Sequence, residues 1–253
     1  MNKLSFLRFG SLPYANQEAF NTLCTNLTFS GNSMRRIMVT SCHAAEGKTY
    51  VSMNIMRSMA QLGYNVVLVD CDLRRSQIKS RYGIQIINGD KHGMTHYLSG
   101  QCGIEDILYE TNIPGAYYVP VGHEVKNSLA LLQDERLKEC MDQLAKVFDY
   151  VIVDAPPVGV IIDAATIATA CDGTLIVIKY NSVASKELIA AKEQIERSGC
   201  EVLGAVLNDV TFESLSSKKY YNKYGNSYYS SSYYLPDSSK KRSKQKRRHG
   251  DDE

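Results

Sequence analysis

A short loop in the first quarter of the chain carries the residue types that bind phosphate. Gly47, Lys48 and Thr49 match the end of the pattern G-x-x-x-x-G-K-[ST], although Cys42 stands at its first glycine. Backbone N–H groups at the start of a following helix would bind anionic oxygens. Lys48 would reach the β- and γ-phosphates of a nucleoside triphosphate, and the Thr49 hydroxyl would bind Mg²⁺. The alternative is an ordinary helix start with no ligand.

Three aspartates lie at or just beyond the ends of apolar runs. Asp70 ends NVVLVD, Asp72 follows two residues later, and Asp154 ends YVIVD. The C-terminal ends of parallel strands open into the ligand crevice of an α/β sheet, so these carboxylates are expected near the phosphate loop. A carboxylate there is costly unless a cation or hydrogen-bond donors meet it. A helix cap or salt bridge would explain one such aspartate, but it explains three poorly.

The last forty residues carry phenol hydroxyls in a segment that cannot form a core. From Ser214 to Glu253 the chain is mainly Ser, Tyr, Lys, Arg and Asn, so a disordered tail is predicted. A triphosphate site and a row of tyrosines in one chain indicate phosphoryl transfer onto the tail, whereas a low-complexity aromatic tail is the alternative. The predicted acceptors are Tyr220, Tyr221, Tyr224, Tyr228, Tyr229, Tyr233 and Tyr234.

The elements that must position these residues alternate between strand and helix. The apolar patterns predict strands at 36–41, 65–70, 116–121, 150–154, 174–178 and 202–207, helices at 14–29, 50–62, 127–147, 161–170 and 184–198, and an irregular arm at 1–13. Continuous apolar strands are typical of a parallel sheet with helices on both faces. The sequence therefore predicts a doubly wound, mostly parallel α/β domain over residues 1–213 and a tail over 214–253.

Composition excludes several other classes of protein. The seven cysteines are dispersed without a CxxC pair, which argues against zinc ribbons and thioredoxin-like sites and fits reduced thiols in the cytosol. No apolar run reaches the ~18 residues that a membrane-spanning helix needs. Residues 240–249 hold seven Lys or Arg, which suit an anionic membrane surface or an acidic partner, or are solvated charge with no partner. Nucleic-acid binding is not expected, because no base-stacking platform accompanies the run.

Taken together, the motifs resemble those of the bacterial tyrosine kinases of capsular and exopolysaccharide synthesis. The similarity covers about residues 14–235, including the tyrosine cluster. The VDxDLR and VDxPPV segments and that cluster are specific, whereas the phosphate loop alone would not be. The matching segments are the EGKT loop, Val67–Arg75, Asp149–Val158, Gly93–Gly100, Val121–Gly122, Asn127–Leu132, Asp163–Ala164 and Asp172–Leu175.

The resemblance implies a P-loop NTPase fold, ATP and Mg²⁺, and autophosphorylation of the tail. It assigns Lys48 and Thr49 to Walker A, Asp154 to Walker B, and Asp70 and Asp72 to Walker A′. One of the Walker A′ pair would help to deprotonate the incoming tyrosine, with Asp70 the first choice. Catalysis would then rest on Lys48, Asp70, Asp72 and Asp154, metal binding on Thr49, Asp70 and Asp154, and nucleotide binding on Ala45, Glu46, Gly47, Lys48, Thr49, Tyr50 and Asn208.

The resemblance also implies partners and a location. The family usually assembles into rings, and the cytosolic segment of a membrane-bound polysaccharide co-polymerase activates it. The chain is accordingly expected to be cytoplasmic, homo-oligomeric and recruited to the inner face of the membrane. In this chain Glu18 is followed by Asn21 and Cys24 where the family's oligomerisation helix carries arginines. Those replacements weaken the expectation of a ring.

Further departures keep two rival interpretations open. Ala44 and Ala45 stand where the family's loop usually carries Pro-Gly, and a Cβ there could weaken ATP binding. A weakly active scaffold whose tyrosines another kinase modifies is therefore one rival. A partition or cell-division type of ATPase is the other, although the chain lacks the second loop lysine of that class. Asp163 and Asp172 are interpreted as caps or surface residues.

Overall fold

The computed structural model describes residues 1–31 and 33–210, and these residues form strands and helices in alternation. The strands are β1 (Asn2–Phe6), β2 (Arg36–Ser41), β3 (Val66–Asp70), β4 (Ile84–Asn88), β5 (Tyr109–Glu110), β6 (Ala116–Val119), β7 (Tyr150–Asp154), β8 (Gly173–Lys179) and β9 (Glu201–Asn208). The helices are α1 (Tyr14–Thr28), α2 (Lys48–Gln61), α3 (Ile78–Tyr82), α4 (Met94–Leu98), α5 (Ile104–Ile107), α6 (Leu129–Leu132), α7 (Glu135–Val147), α8 (Asp163–Ala168) and α9 (Ser185–Glu196). The predicted tail and its tyrosines lie outside the described residues.

Within the described residues, the nine strands form one sheet in the order β4-β1-β5-β6-β3-β7-β2-β8-β9. The run from β6 to β9 is parallel throughout. The remaining edge is mixed, because β5 is antiparallel to β6 and β4 is antiparallel to β1. The strand β2, which leads into the phosphate loop, lies between β7 and β8 and therefore in the parallel part.

Alternate residues of the parallel strands pack into two separate cores, one on each face of the sheet. Met38 and Val69 face a core that includes α7 and α8. Ile37 and Leu68 face the other core, which includes α1, α2 and the edge strand β1. Because both faces are covered, the strands are apolar at nearly every position. The predicted doubly wound fold is confirmed.

The prediction of an irregular arm over residues 1–13 is wrong. Asn2–Phe6 forms β1, which pairs with β4 and β5. Leu4 and Phe6 are buried, while Ser5 between them is only partly buried. Phe6 packs edge-on against the ring of Tyr118 at 5.5 Å. The segment NKLSF is too short for its alternation of polar and apolar residues to be distinguished from a loop, and the strand depends on partners that lie about a hundred residues away.

Helix bounds differ from the predictions in one instructive place. The predicted helix at 127–147 is divided into α6 and α7, because Asp134 begins a new helix by accepting a hydrogen bond from the Arg136 N–H at 3.0 Å. The short elements α3, β4, α4, α5 and β5 were not predicted. No helix among the described residues combines the length and apolar character that crossing a bilayer requires.

Candidate nucleotide-binding and catalytic site

The loop between β2 and α2 has a backbone that requires glycine at one position. Gly47 has a φ of +96°, and a Cβ placed there would lie 2.0 Å from Nδ2 of Asn208. That same Nδ2 donates a hydrogen bond to the Glu46 carbonyl at 2.9 Å. The α2 helix starts at the next residue, Lys48. The end of β9 thus buttresses the loop, and the start of α2 presents N–H groups as an anion site would.

The side chains of Glu46 and Tyr50, which lie near Gly47 in the chain, contact other residues of the protein. The Glu46 carboxylate is buried and accepts hydrogen bonds from the His43 N–H at 2.7 Å and the Ser182 hydroxyl at 3.1 Å. The Tyr50 ring packs against Phe20 of α1, with ring centroids 5.9 Å apart. These two side chains shape the loop, so their predicted contribution to nucleotide binding would come through their backbone groups.

Ala45, also in the predicted nucleotide set, adopts a left-handed conformation with a φ of +64°. A residue with a Cβ is strained there relative to glycine. This is the position where the family's loop usually carries glycine. The substitution is therefore accommodated in the fold, at a local cost in stability.

The metal-ligand candidates meet at the C-terminal ends of β3 and β7. Asp70 and Asp154 are directly opposite each other in the register of these two strands. The Thr49 hydroxyl donates to Asp154 at 2.7 Å, and the Ser52 hydroxyl donates to its other oxygen at 3.1 Å. Thr49 and Asp154 are both buried. The strand ends and the first turn of α2 therefore bring together the predicted Walker A and Walker B side chains.

The Walker A′ pair completes the cluster. Lys48 Nζ lies 3.1 Å from a carboxylate oxygen of Asp72. Asp70 is fully buried and accepts hydrogen bonds from the Ser76 hydroxyl, the Tyr118 hydroxyl and the Asp72 N–H. These donors hold the Asp70 side chain in place, because the carboxylate would otherwise be buried without partners.

The electrostatics of this cluster are unfavourable without a further cation. Burial, followed by repulsion from Asp154, raises the pKa of Asp70 to about 8. Burial likewise raises the pKa of Asp154, although Lys48 opposes the shift. The pKa of Lys48 is raised despite its burial, because the carboxylates of Asp154 and Asp72 favour the charged amine. One amine faces three carboxylates, so the donor set fits an additional Mg²⁺ ion, which takes oxygen ligands.

Several supporting residues were missed or misjudged from the sequence. The prediction that Asp163 is a cap or surface residue is wrong, since it is buried and binds Arg74 Nε at 2.8 Å and the Ser128 hydroxyl. Asp172 accepts from the N–H and the guanidinium of Arg36. The position of Ser52 could have been predicted, because it lies one helical turn after Lys48 and so faces the same side of the helix. The contribution of Tyr118 could not be foreseen, as it depends on β6 lying beside β3.

A buried strand, a glycine-dependent turn, a helix that begins with Lys-Thr, and a neighbouring strand that ends in Asp154 define a P-loop NTPase. Nucleotide and magnesium binding are general properties of that class.

Comparison with known proteins narrows the class. Residues 34–200 match the family described as AAA domain. The chain is 38% identical over 209 residues to the tyrosine-protein kinase CpsD of Streptococcus agalactiae, which covers 83% of this chain and 90% of that protein. The kinase domain of the Escherichia coli tyrosine kinase ETK is similar with a TM-score of 0.73 and 26% identity, covering 78% of this chain and 77% of that one.

A more distant likeness concerns the fold alone. The septum site-determining protein MinD of Pyrococcus horikoshii, complexed with Mg-ADP, gives a TM-score of 0.59 at 21% identity, over 68% of this chain and 69% of that one. The closer likenesses decide the family. The chain belongs to the bacterial tyrosine kinase family, as the sequence motifs predicted, and it is a protein-tyrosine kinase.

Proposed function

We propose that this kinase uses ATP and Mg²⁺ to phosphorylate the tyrosines of its own C-terminal tail, and that it acts in capsular or exopolysaccharide synthesis. The observation that carries the proposal is the meeting of Lys48, Thr49, Asp70, Asp72 and Asp154 in one buried, negatively charged cluster beside the phosphate loop. Its resemblance to the kinases of polysaccharide synthesis supports the biological role.

Binding of the triphosphate requires a rearrangement of contacts that the cluster already contains. The N–H groups at the start of α2 would donate hydrogen bonds to phosphate oxygens. Lys48 would exchange its contact with Asp72 for the β- and γ-phosphates. Thr49 and Asp154, with Asp70 across the strand register, would hold Mg²⁺, which neutralises charge on the phosphates. Asn208 is the candidate for contact with the base.

Transfer to tyrosine needs a proton acceptor. A tyrosine hydroxyl forms a bond to the γ-phosphorus while the bond from that phosphorus to the β–γ bridging oxygen breaks, which leaves ADP. The hydroxyl proton passes to a carboxylate, because free tyrosine titrates near a pKa of ~10. Asp70 is the proposed acceptor and Asp72 the second candidate. The acceptor tyrosines are the seven between Tyr220 and Tyr234.

The helix α1 bears on assembly. Cys24 is fully buried, with its thiol 3.9 Å from the Ile55 carbonyl of α2, and Asn21 donates to Glu18 at 3.3 Å. Asn21 and Cys24 stand where the family's oligomerisation helix carries arginines, so neither position can form an arginine contact with a neighbouring subunit. We propose a homo-oligomer in which one subunit's tail reaches a neighbouring site, without the arginine contacts of the family's ring. Its proposed recruiter is the cytosolic segment of a membrane-bound co-polymerase.

The test is phosphotyrosine blotting of the full chain after incubation with ATP and Mg²⁺, with and without a co-polymerase's cytosolic peptide. We expect labelling that Lys48→Met abolishes and that Lys192→Met leaves intact. Lys192 is a matched control, because its amine is exposed and forms a salt bridge with Glu196 on the surface of α9. Circular dichroism should show that both variants fold.

The other outcomes identify the rivals. Labelling that survives in Lys48→Met would overturn the proposed role of the phosphate loop. ATP hydrolysis without labelling under either condition would identify a switch ATPase. Labelling that appears only after a second kinase is added would identify a scaffold. The first outcome removes the proposed site, and the other two remove the proposal of self-phosphorylation.

A further inference from the structure

Three side chains that bind transition metals meet on the mixed edge of the domain. His92 lies in the segment between β4 and α4, Cys102 follows α4, and Asp106 lies in α5. One ligand atom from each, an imidazole nitrogen, the Cys102 sulfur and an Asp106 oxygen, lies within 4.8 Å of the other two. All three residues are partly buried. None of them belongs to the nucleotide site.

The imidazole of His92 has one nitrogen without a hydrogen-bond partner among the described residues. Its Nδ1 atom is buried and has no hydrogen-bond partner among the residues that the structure describes. Its backbone is held in place, since the Tyr109 hydroxyl donates to the His92 carbonyl at 3.2 Å. Buried polar atoms are nearly always hydrogen-bonded, so an unpartnered nitrogen on a ring that lies beside a thiol and a carboxylate points to an ion or a water molecule as its partner.

The donor set selects the kind of ion. Nitrogen, sulfur and a carboxylate oxygen suit Zn²⁺, whereas Mg²⁺ takes oxygen ligands. Bond lengths of about 2.0–2.3 Å place the ligands of a tetrahedral zinc about 3.3–3.8 Å apart. The observed limit of 4.8 Å exceeds that spacing by about 1 Å, which side-chain rotation can close. Cation binding would also favour the thiolate of Cys102, whose pKa burial, followed by the nearby Asp106 and Glu105, now raises.

We propose that His92, Cys102 and Asp106 form a Zn²⁺ site separate from the Mg²⁺ site of the kinase. Three protein ligands leave a fourth position for water or an external ligand. The ion would join the segment before α4 to α5 and so tighten the mixed edge. Met94 donates to the Pro120 carbonyl at 2.7 Å, so α4 is also anchored to the segment that follows β6.

Two neighbouring histidines provide an internal control. The ring of His96 packs at a tilt against that of His92 with ring centroids 5.0 Å apart, and the ring of His123 packs in the same way against that of His96 at 4.7 Å. The Nδ1 of His96 already accepts a hydrogen bond from the Gly93 N–H at 3.1 Å. His123 is exposed and lies one ring further out. A site built by the three ligands should therefore be insensitive to the loss of His123.

The experiment titrates the full-length, metal-free protein with Zn²⁺ against a chromogenic chelator, in excess Mg²⁺ and ADP so that the nucleotide site is occupied. We expect one tight Zn²⁺ per chain. His92→Gln, Cys102→Ser and Asp106→Asn should each weaken binding by about tenfold or more, while His123→Gln leaves it unchanged. Asp106→Asn keeps an oxygen to accept from the Gly103 N–H, which that carboxylate now does at 2.9 Å, so folding should persist.

A spectroscopic measurement makes the assignment specific. Co²⁺ in place of Zn²⁺ should give a thiolate-to-metal charge-transfer band, and this band should vanish in Cys102→Ser but persist in His123→Gln. The site is refuted if Zn²⁺ binds the three variants as tightly as the original chain, if the charge-transfer band survives in Cys102→Ser, or if no tight Zn²⁺ binds once Mg²⁺ and ADP are present.

Discussion

The parallel middle of the sheet and its mixed edge show two uses of buried side chains. In the middle, Asp70 and Asp154 lie side by side at the ends of buried strands, where burial works against their charge. At the edge, Leu4 and Phe6 bury only apolar surface. We expect the first arrangement to lower stability in return for the proposed metal and phosphate binding, whereas the second contributes stability alone. The proposed catalytic carboxylates and the apolar contacts of the edge therefore lie on different strands of one sheet.

The two regions meet at Tyr118. Its ring packs against Phe6, and its hydroxyl donates to Asp70 at 3.2 Å. The edge strand therefore supports, through one side chain, the carboxylate proposed to accept the proton. Substitutions in the middle should therefore change tyrosine labelling most, and substitutions at the edge should change stability most.

The largest expected effect comes from neutralising a carboxylate in the middle of the sheet. Asp154→Asn keeps the shape of the side chain and the oxygen that accepts from Thr49, but it removes a negative charge from the proposed metal site. We expect tyrosine labelling to fall by about a hundredfold or more. The metal-free domain should melt no lower than the original, since the buried carboxylate is unfavourable there. Quantitative phosphotyrosine blotting and calorimetry measure the two properties.

The comparison fails if Asp154→Asn unfolds the metal-free domain. That result would mean that the carboxylate stabilises the fold, as a structural salt bridge does. Retained labelling would instead remove Asp154 from the proposed metal site.

At the edge, the large effect is on stability. Phe6→Ala removes a buried ring that contacts Phe9 and Tyr118, so we expect a loss of about 3–5 kcal/mol in the free energy of unfolding. The neighbouring Leu7 is 63% exposed, so Leu7→Ala should change the free energy of unfolding by no more than about 0.5 kcal/mol. Urea denaturation of both variants provides the measurement. Equal destabilisation by the two substitutions would show that β1 is not part of the packed domain.

The same division explains what could be predicted from the sequence. The middle strands β3 and β7 are apolar up to their final aspartates, so their positions and that of the nucleotide loop could be predicted. The side-chain contacts within the site could not be predicted, because the pairing of Lys48 with Asp72 and the hydrogen bond from Tyr118 to Asp70 depend on strand order. At the edge, β1 alternates over only five residues, and its partners lie far along the chain. Its pattern acquires meaning only from those partners.

A third prediction concerns pH and metal. The pKa of Asp70 is 3.8 in the reference state and about 8 in the fold, so the folded state binds more protons between these values. The contribution of this group to stability is therefore largest at low pH and is lost as pH rises through about 8. We expect Mg²⁺ to raise the melting temperature more at about pH 8 than at about pH 6, because metal and proton compete for the carboxylate.

The control for this prediction is Asp70→Asn, because the asparagine side chain does not titrate. Its melting temperature should depend less on pH over that window, and its stabilisation by Mg²⁺ should be smaller. If Mg²⁺ stabilises the original chain equally at both pH values, the proposed competition does not take place.

The smallest effect, and the finest test of the comparison, is Ala45→Gly. Ala45 is exposed and has a φ of +64°, so its Cβ contributes strain without burying surface. Glycine there should stabilise the domain by up to about 1 kcal/mol and tighten nucleotide binding, because the loop adopts its conformation at lower cost. Ala44→Gly makes the same chemical change at a neighbour outside the positive-φ region, so flexibility in the unfolded chain should make it neutral or slightly destabilising. Thermal melts and nucleotide titrations on both variants decide the matter. Opposite signs at adjacent alanines would locate the strain in the backbone at residue 45, whereas equal responses would mean that the loop relaxes and that its departure from the family pattern has no energetic consequence.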